Sequence, residues 1–306
     1  MSETEMSQSG TPYCGDGGAS NNEHLNLDPL GLPKLHYTLR TRKKKIARFW
    51  ALLVIDCCVI PVALYYSLRF STHLSNATIF LITTALTGGT LILEFFLRGY
   101  HLWNVASHCR PKGAPRAYFD HTHWVLLLAI IVAATELVVG TAYPNPIERL
   151  IAMPVPSVLF VFAADALLRD LLHQCKRAAP VRISTCPAGA VFRPGICAVV
   201  EDIVAADGGG GTEYRENFDL RYRSSYQFRR MLRALSLFWS LGGVVTALGT
   251  AALVWTLDVD YAYGIGWVAP FGWGLVWALL TLYWVPVCLR LEYASWTEAR
   301  NRAAVL

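Results

Sequence analysis

His123–Tyr143 reads HWVLLLAIIVAATELVVGTAY, Ile151–Leu168 reads IAMPVPSVLFVFAADALL, and a short turn rich in proline joins the two segments. Each segment is long enough to cross a bilayer, because roughly 20 apolar residues rising about 1.5 Å each match about 30 Å of hydrocarbon. Each segment also contains one acid, Glu136 in the first and Asp165 in the second. An ionisable residue inside a membrane span costs about 2.5 to 3.5 kcal/mol on insertion scales and is a functional-site hypothesis by default. These two segments therefore predict both the fold class and the place where function is sought.

The composition agrees with a membrane protein. The chain is 54% hydrophobic and only 16% charged, whereas soluble domains carry about 25% charged residues. The sequence predicts an all-α, polytopic membrane helix bundle with about six transmembrane helices. The six apolar runs are Ile46–Leu68, Ala77–Leu97, Trp124–Tyr143, Leu150–Leu168, Leu237–Leu257 and Ile265–Leu289.

The basic residues predict the orientation of the bundle. All of the 27 Lys and Arg residues except Arg69 and Arg149 flank the same ends of the predicted spans. The positive-inside rule therefore places both termini in the cytosol. The net charge of +5 follows from this distribution, so no nucleic-acid partner is expected. The loops on the opposite side are short, which argues against a receptor for an extracellular ligand.

The predicted organisation has five parts, and the first carries no apolar signal-peptide core. The eight cysteines show no paired metal-binding spacing and are expected to be reduced thiols, so neither a metal nor a cofactor is expected. The parts are a disordered cytosolic tail with a basic flank (1–45), a four-helix transmembrane half (46–172), a cytosolic loop with a glycine run and a basic helix (173–235), a two-helix transmembrane half (236–290) and a cytosolic tail (291–306).

The 173–235 loop is the largest soluble part and a possible docking site for a cytosolic partner. The run Gly208–Gly211 fits neither a P-loop nor a dinucleotide-binding pattern, so it predicts a flexible hinge. The basic helix that follows predicts a stem lying on the membrane surface.

The stretch Phe192–Arg215, FRPGICAVVEDIVAADGGGGTEYR, resembles a family of multi-pass membrane proteins from filamentous fungi. The resemblance extends over Arg193–Leu289. It implies a eukaryotic endomembrane such as the endoplasmic reticulum, and it brings no catalytic residue.

Two further acids, Asp56 and Glu94, give each of the first four spans one carboxyl group. Together with Glu136 and Asp165 they predict a catalytic cavity that opens to the cytosol and has Glu136 at its floor. A carboxyl group in hydrocarbon is expected to be neutral and able to donate a proton. The alternatives are structural: Asp165 could pair with Arg169 four residues on, Glu94 could reach the interface, and Asp56 and Glu136 could hydrogen-bond a neighbouring helix.

Histidines and aromatic residues supply weaker candidates. His101 and His108 follow Glu94 at intervals of seven, and with His121 and His123 they could bind zinc or relay protons, although loop histidines are usually only polar. The last span places Trp273, Trp277 and Phe271 where they could wall a pocket for a cationic intermediate, or simply pack between helices. Asn76 begins an Asn-Ala-Thr glycosylation sequon, but it directly abuts a span.

Three functions remain open. The first is a membrane enzyme, an isomerase or lyase that converts a lipophilic, prenylated or terpenoid substrate by acid-triggered cyclisation or isomerisation in fungal secondary metabolism. Its comparison with fungal integral-membrane terpene cyclases is architectural, since no motif matches. The second is a non-catalytic membrane scaffold, and the third is a proton-coupled transporter that uses the same acids.

Overall fold

The protein is described by a computed structural model, which covers residues 32–33, 35, 39–104, 108–111, 113–115 and 118–305. The predicted disordered tail therefore lies largely outside the described residues. Within them the chain is helical without any β-strand, and isolated β-bridges pair Ala178 with Val191 and Ile183 with Cys186. The helices are α1 (Leu39–Val54), α2 (Ile60–Ser71), α3 (Asn76–Ala85), α4 (Gly89–Trp103), α5 (His121–Thr141), α6 (Glu148–Ile151), α7 (Pro154–Gln174), α8 (Gly195–Asp202), α9 (Gly211–Ser224), α10 (Tyr226–Thr256) and α11 (Val259–Val305).

The predicted all-α polytopic bundle is confirmed. Five helical stretches are long and apolar enough to cross a membrane. They are Ile46–Ser71, Asn76–Trp103, His121–Thr141, Tyr226–Thr256 and Val259–Arg302.

Helix α7 occupies the position of the remaining predicted span, although three charged residues near its end reduce its hydropathy. It packs between α5 and α10. Asp165, in the second half of α7, contacts His121 at the start of α5. Ile151, just before α7, packs against Gly140 near the end of α5. Helix α7 is therefore antiparallel to α5 and passes through the same layer.

The contacts divide the bundle into two ends. At one end, Arg69 lies 3.4 Å from Asp260, and Arg149 donates a hydrogen bond to Val254 O. An aromatic cluster that includes Tyr65 and Tyr263 packs below these polar residues. We call this the far end. The opposite end, where α5 begins, is called the cap end. Arg69 and Arg149 are the two basic residues that the sequence places away from the cytosol.

The second span is interrupted inside the bundle. Helix α3 ends at Ala85, Gly88 adopts φ +86°, and α4 begins at Gly89. The first span also changes geometry, since a π-helical turn, Ile55–Val59, joins α1 to α2. A helix break within a membrane exposes backbone N–H groups that need a partner in the protein.

Residues 175–224 fold into a compact layer over the cap end, which we call the cap. It consists of an irregular hairpin, α8, a π-helical turn (Ile203–Asp207) and α9. Phe218 of α9 packs with Phe228 and Leu232 at the start of α10. Arg215 and Arg221 of α9 are buried, so these two arginines of the predicted basic stem lie inside the cap and not on a membrane surface.

Candidate functional site

Asp56 stabilises the broken second span. Its Oδ2 accepts a hydrogen bond from the backbone N–H of Thr90, at 2.8 Å, in the first turn of α4. A carboxyl group at a helix N-terminus satisfies an unpaired N–H and interacts favourably with the helix dipole. The side chain predicted to be catalytic thus has a structural partner, which is the helix-to-helix hydrogen bond that was its alternative.

Glu136 has one carboxyl oxygen that is hydrogen-bonded and one that is buried without a partner among the described residues. Ser157 of α7 donates a hydrogen bond to its Oε1 at 2.5 Å. Its Oε2 is buried and has no hydrogen-bond partner within the described residues. This geometry joins α5 to α7 and leaves one carboxyl oxygen without a defined structural role.

Asp165 and Glu94 lie near the cap end. His121 Nε2 is 3.0 Å from Asp165 Oδ2, and Arg169 donates to the same oxygen at 2.6 Å. The alternative prediction of an ion pair with Arg169 is confirmed. Glu94 is partly buried one turn before Arg98, and no contact in the structure joins two of the four predicted acids.

The predicted histidine face is not formed, because α4 ends at Trp103 and His108 lies beyond it. His123 instead stacks between the rings of Phe95 and Phe119, with centroids 4.5 and 4.9 Å apart. In the described parts of the chain, no group of three or more His, Cys, Asp or Glu side chains could hold a metal ion.

The predicted aromatic wall packs α11 against α10. The Trp277 indole stacks on Phe238 with centroids 4.9 Å apart, and its Nε1 donates to Phe238 O at 3.0 Å. Its edge fills the space over Gly242, where a Cβ would lie 2.6 Å from Nε1. Trp273 packs beside Trp277, and Phe271 is partly buried. The packing alternative for Trp273 and Trp277 fits these contacts.

Asn76 of the sequon lies at the far end with its amide engaged. Arg69 donates to its Oδ1 at 2.6 Å, and its Nδ2 donates to Glu148 at 2.8 Å. A shallow cavity of about 330 Å³ lies beside these residues. A glycan on Nδ2 would have to displace the contact with Glu148.

A charge network that the sequence analysis did not predict lies under the cap. Its centre is Arg215, whose side chain is 0% exposed. Arg215 Nη2 donates to Asp120 Oδ2 at 3.0 Å, and Nη1 donates to Glu201 at 2.9 Å and to Asp202 at 2.5 Å. Its Nε donates to the Cys109 carbonyl at 2.9 Å. One guanidinium thus joins α9, α8, the start of α5 and the loop after α4.

Arg98 at the end of α4 extends the network. It donates to Asp120 at 2.8 Å and pairs with Asp207 in the π-helical turn of the cap. Burial acts to raise the pKa of Asp120, but Arg98 and Arg215 outweigh it and hold that pKa below its ordinary value. Asp120 is therefore a buried carboxylate held between two arginines.

Glu201 and Asp207 differ from Asp120 in that their pKa values are raised. Burial and the neighbouring Asp202 raise the pKa of Glu201 to about 7, against the opposing effect of Arg215. Burial raises the pKa of Asp207 to about 6, again against a nearby arginine, Arg98. The two arginines thus face more carboxyl groups than they can neutralise, and the pKa values of Glu201 and Asp207 lie above those of ordinary carboxyl groups.

Two further contacts fix the cap to the bundle. Asp170 of α7 is buried and accepts hydrogen bonds from Gly195 N at 2.9 Å, Ser236 Oγ at 2.6 Å and Ser240 Oγ at 3.1 Å. Arg221 of α9 donates to the buried Glu292 of α11 at 2.6 Å. The cap therefore binds α7, α10 and α11 through polar contacts as well as through its apolar core.

A small cavity between α7 and the cap has room for one water molecule, at about 10 Å³. Arg169, Arg193 and Glu201 are among its lining residues, together with Cys186 and Cys197. Burial raises the pKa of the Cys186 thiol and raises that of Cys197 to about 12. Neither cysteine is therefore an activated nucleophile, and the cavity is too small for an organic substrate.

The Gly208–Gly211 run, which the sequence predicts to be a flexible hinge, forms a hydrogen-bonded turn in the structure. Gly209 has φ +67° and Gly211 has φ +64°, both in the left-handed region that glycine adopts without strain. The turn is fixed by hydrogen bonds from Gly208 N to Ile203 O at 2.8 Å and from Gly210 N to Val204 O at 2.9 Å.

Alanine substitutions in this turn are expected to differ by position. Gly211→Ala should lower the free energy of unfolding by about 1 to 2 kcal/mol, because an L-residue is strained at positive φ and its Cβ would lie 3.0 Å from His108 O. Gly208→Ala should change it by less than about 0.5 kcal/mol, since φ is −77° there. Thermal unfolding of the purified variants measures the difference, and equal midpoints would contradict the turn geometry.

The comparisons with known proteins give one match. The model of a family described as a domain of unknown function, DUF8766, matches residues 20–296. Neither the curated proteins nor the solved structures gave a match. The family match extends over both transmembrane halves and the cap, which is far more than half of the chain, and this protein therefore belongs to the DUF8766 family.

Proposed function

We propose that this protein is a non-catalytic membrane platform whose cap binds a cytosolic partner. The observation that carries the proposal is the Arg215 network, which joins the cap to α5 and, through Arg98, to α4. Transferring ions into a protein interior costs several kcal/mol each, and this cost is offset only where the pairs meet in good geometry. Such a network favours a single orientation of the cap, and a fixed surface loses less conformational entropy on binding a partner.

The hairpin of the cap offers a surface for such a partner. Val181 and Val191 are 63% and 47% exposed, and the exposed Lys176 and Arg177 precede the hairpin. Exposed apolar side chains bordered by basic ones fit a partner segment that is apolar and acidic. This is the part of the chain for which the sequence predicts a cytosolic partner.

A second candidate function is supported by Glu136. An acid-dependent enzyme for a lipophilic terpenoid or prenylated substrate, or a proton-coupled transporter, needs a carboxyl group within the membrane that can release a proton. The buried, unpartnered Oε2 of Glu136 meets that requirement better than Asp56 Oδ2, which accepts from a backbone N–H, or Asp165 Oδ2, which contacts a cation.

We further propose that the bundle lies in the endoplasmic reticulum or another endomembrane of a filamentous fungus, with both termini in the cytosol. The support is the resemblance of Phe192–Arg215 and the distribution of basic residues. A C-terminal fluorescent tag is imaged before and after protease treatment of permeabilised cells. Its location reports the organelle, and its loss after protease treatment reports that the C terminus lies on the cytosolic side of the membrane.

One experiment separates the platform from the enzyme. A biotin ligase at the C terminus labels neighbouring proteins in cells that express wild type, Val181→Asp/Val191→Asp or Glu136→Gln. If the protein is a platform, biotin labelling of specific cytosolic neighbours should fall several-fold in the valine variant at equal protein level. The reason is that two carboxylates in an apolar contact weaken binding. The same variant should leave the lipid-soluble metabolites of the cells unchanged.

Ile203→Asp/Leu220→Asp is the matched control, since both residues are exposed on the cap outside the hairpin. It should keep the neighbours that the valine variant loses. An unchanged set of neighbours in the valine variant, together with altered metabolites in Glu136→Gln, would reject the platform and support the enzyme.

A further inference from the structure

Two exposed arginines, Arg230 and Arg233, lie near the start of α10. Residues three apart on a helix share a face, so both guanidiniums extend from the same side. The apolar run of this span begins at Leu237, about one turn further along. The two cations are therefore at the boundary between the apolar layer and the cap.

Helix α11 brings a third cation to the same depth. Its antiparallel register is set by Trp239 Nε1, which donates to Thr281 Oγ1 at 3.0 Å. This register places the exposed Arg290 of α11 level with Arg230 along the helix axes. Arg230, Arg233 and Arg290 together are called the basic edge.

The basic edge lacks the acids that neutralise other arginines at this end. None of its three members forms a hydrogen bond or an ion pair within the described residues, whereas Arg221 pairs with Glu292. Glu292 is the acid nearest to Arg290 in sequence, and it is buried in that pair. Three exposed cations at one depth without a counter-charge favour anionic ligands.

The surface toward the middle of the bundle is apolar. Trp284 and Val287 of α11 and Leu241 of α10 are exposed there. Tryptophan is enriched at the depth of lipid headgroups, and exposed aliphatic side chains match acyl chains. The arrangement places positive charge directly beyond an apolar surface.

We propose that the basic edge binds anionic phospholipid, with headgroups at Arg230 and Arg233 of α10 and at Arg290 of α11, and with the acyl chains along the exposed sides of these two helices. An acidic protein segment would match the charges, but the exposed apolar surface beside them lies within the predicted spans Leu237–Leu257 and Ile265–Leu289, where acyl chains surround a membrane helix. Basic clusters immediately beyond a membrane span bind acidic lipids with about 1 kcal/mol per Lys or Arg. The inference does not depend on the proposed platform function.

The test measures lipid binding to the full-length protein in detergent, by displacement of a fluorescent phosphatidylserine. Unlabelled phosphatidylserine is expected to displace the probe at lower concentration than phosphatidylcholine. Arg230→Gln/Arg233→Gln should weaken phosphatidylserine binding about 25-fold, and Arg290→Gln about fivefold, because each lost charge near the surface reduces affinity about fivefold. Phosphatidylcholine binding should remain unchanged in these variants.

Arg223→Gln/Arg302→Gln is the matched control, because these exposed arginines already pair with Asp219 and Glu298. It removes the same charge and should change phosphatidylserine binding less than about twofold. An equal loss in both double variants would show only a general charge effect and overturn the proposal. Displacement by inorganic phosphate or glycerophosphoserine as effective as that by the lipid would overturn it as well, since it would assign the site to a soluble anion.

Discussion

Arg215→Met is expected to lower the free energy of unfolding by about 3 to 5 kcal/mol, the usual result of removing one partner from a buried ion pair. Methionine fills much of the same volume, so the loss comes chiefly from Asp120, Glu201 and Asp202, which remain buried without their shared cation. Thermal unfolding of the detergent-solubilised protein should show a midpoint lower by on the order of 10 °C.

The effect of Arg215→Met should depend on pH in a defined direction. The pKa of Glu201 is already raised to about 7 by burial and by Asp202, and loss of Arg215 raises it further. The folded variant then binds more protons than the unfolded chain at pH values above the ordinary pKa of a glutamate. Its stability therefore falls as the pH rises, so the deficit relative to wild type should be larger at pH 8 than at pH 6.

Arg223→Met is the control for this substitution. Arg223 lies on the same helix, α9, and also pairs with an acid, Asp219, but its side chain is 63% exposed. Exposed ion pairs contribute about 0 to 1 kcal/mol, so its midpoint should stay near that of wild type. Equal destabilisation by both substitutions would mean that the Arg215 network does not hold the cap.

The spans could be predicted because hydropathy is a local property of the sequence. Segments such as His123–Tyr143 carry their signal in consecutive residues, and the structure gives α5 nearly the same bounds, His121–Thr141. Helix α7 could also be predicted, even though its end contains Asp165, Arg169 and Asp170, while its crossing of the membrane stays a prediction. Those charges are tolerated because neighbouring helices and the cap supply partners, which hydropathy does not record.

The Arg215 network could not be predicted, because its members come from separate parts of the chain. Asp120 precedes α5, Glu201 ends α8 and Arg215 lies in α9. Helix α9 carries so many charges that its composition is typical of a surface helix, and only tertiary contacts show that Arg215 is buried. The usable signal was the Glu201-Asp202 pair directly after the apolar run GICAVV, since acids beside a buried helix need a cation.

Asp56 is exceptional as an acid within a span, and its own span does not distinguish a catalytic role from a structural one. The glycine pair Gly88-Gly89 in the next span signals a helix break, and a break in a membrane needs an acceptor for its N–H groups. Considering both spans together would have paired Asp56 with the start of α4.

Asp170→Ala is expected to lower the free energy of unfolding by about 3 kcal/mol or more. The carboxylate accepts hydrogen bonds from Gly195 N and from the hydroxyl groups of Ser236 and Ser240. Each donor left buried without a partner costs about 1 to 3 kcal/mol. The loss should separate the start of α8 from α7 and α10, and limited proteolysis of the cap should accelerate along with the fall in the unfolding midpoint.

Asp170→Asn separates the hydrogen bonds from the charge. Its amide oxygen can keep the contacts with Gly195 N and Ser236, and its amide nitrogen can donate to the Ser240 hydroxyl, which can accept as well as donate. The asparagine variant should therefore lose less than about 1 kcal/mol and resist protease nearly as well as wild type. An Asp170→Asn variant as unstable as Asp170→Ala would contradict this account. The contribution of Asp170 would then come from its negative charge beside Arg169. The hydrogen bonds to Gly195, Ser236 and Ser240 would not hold the cap on the bundle.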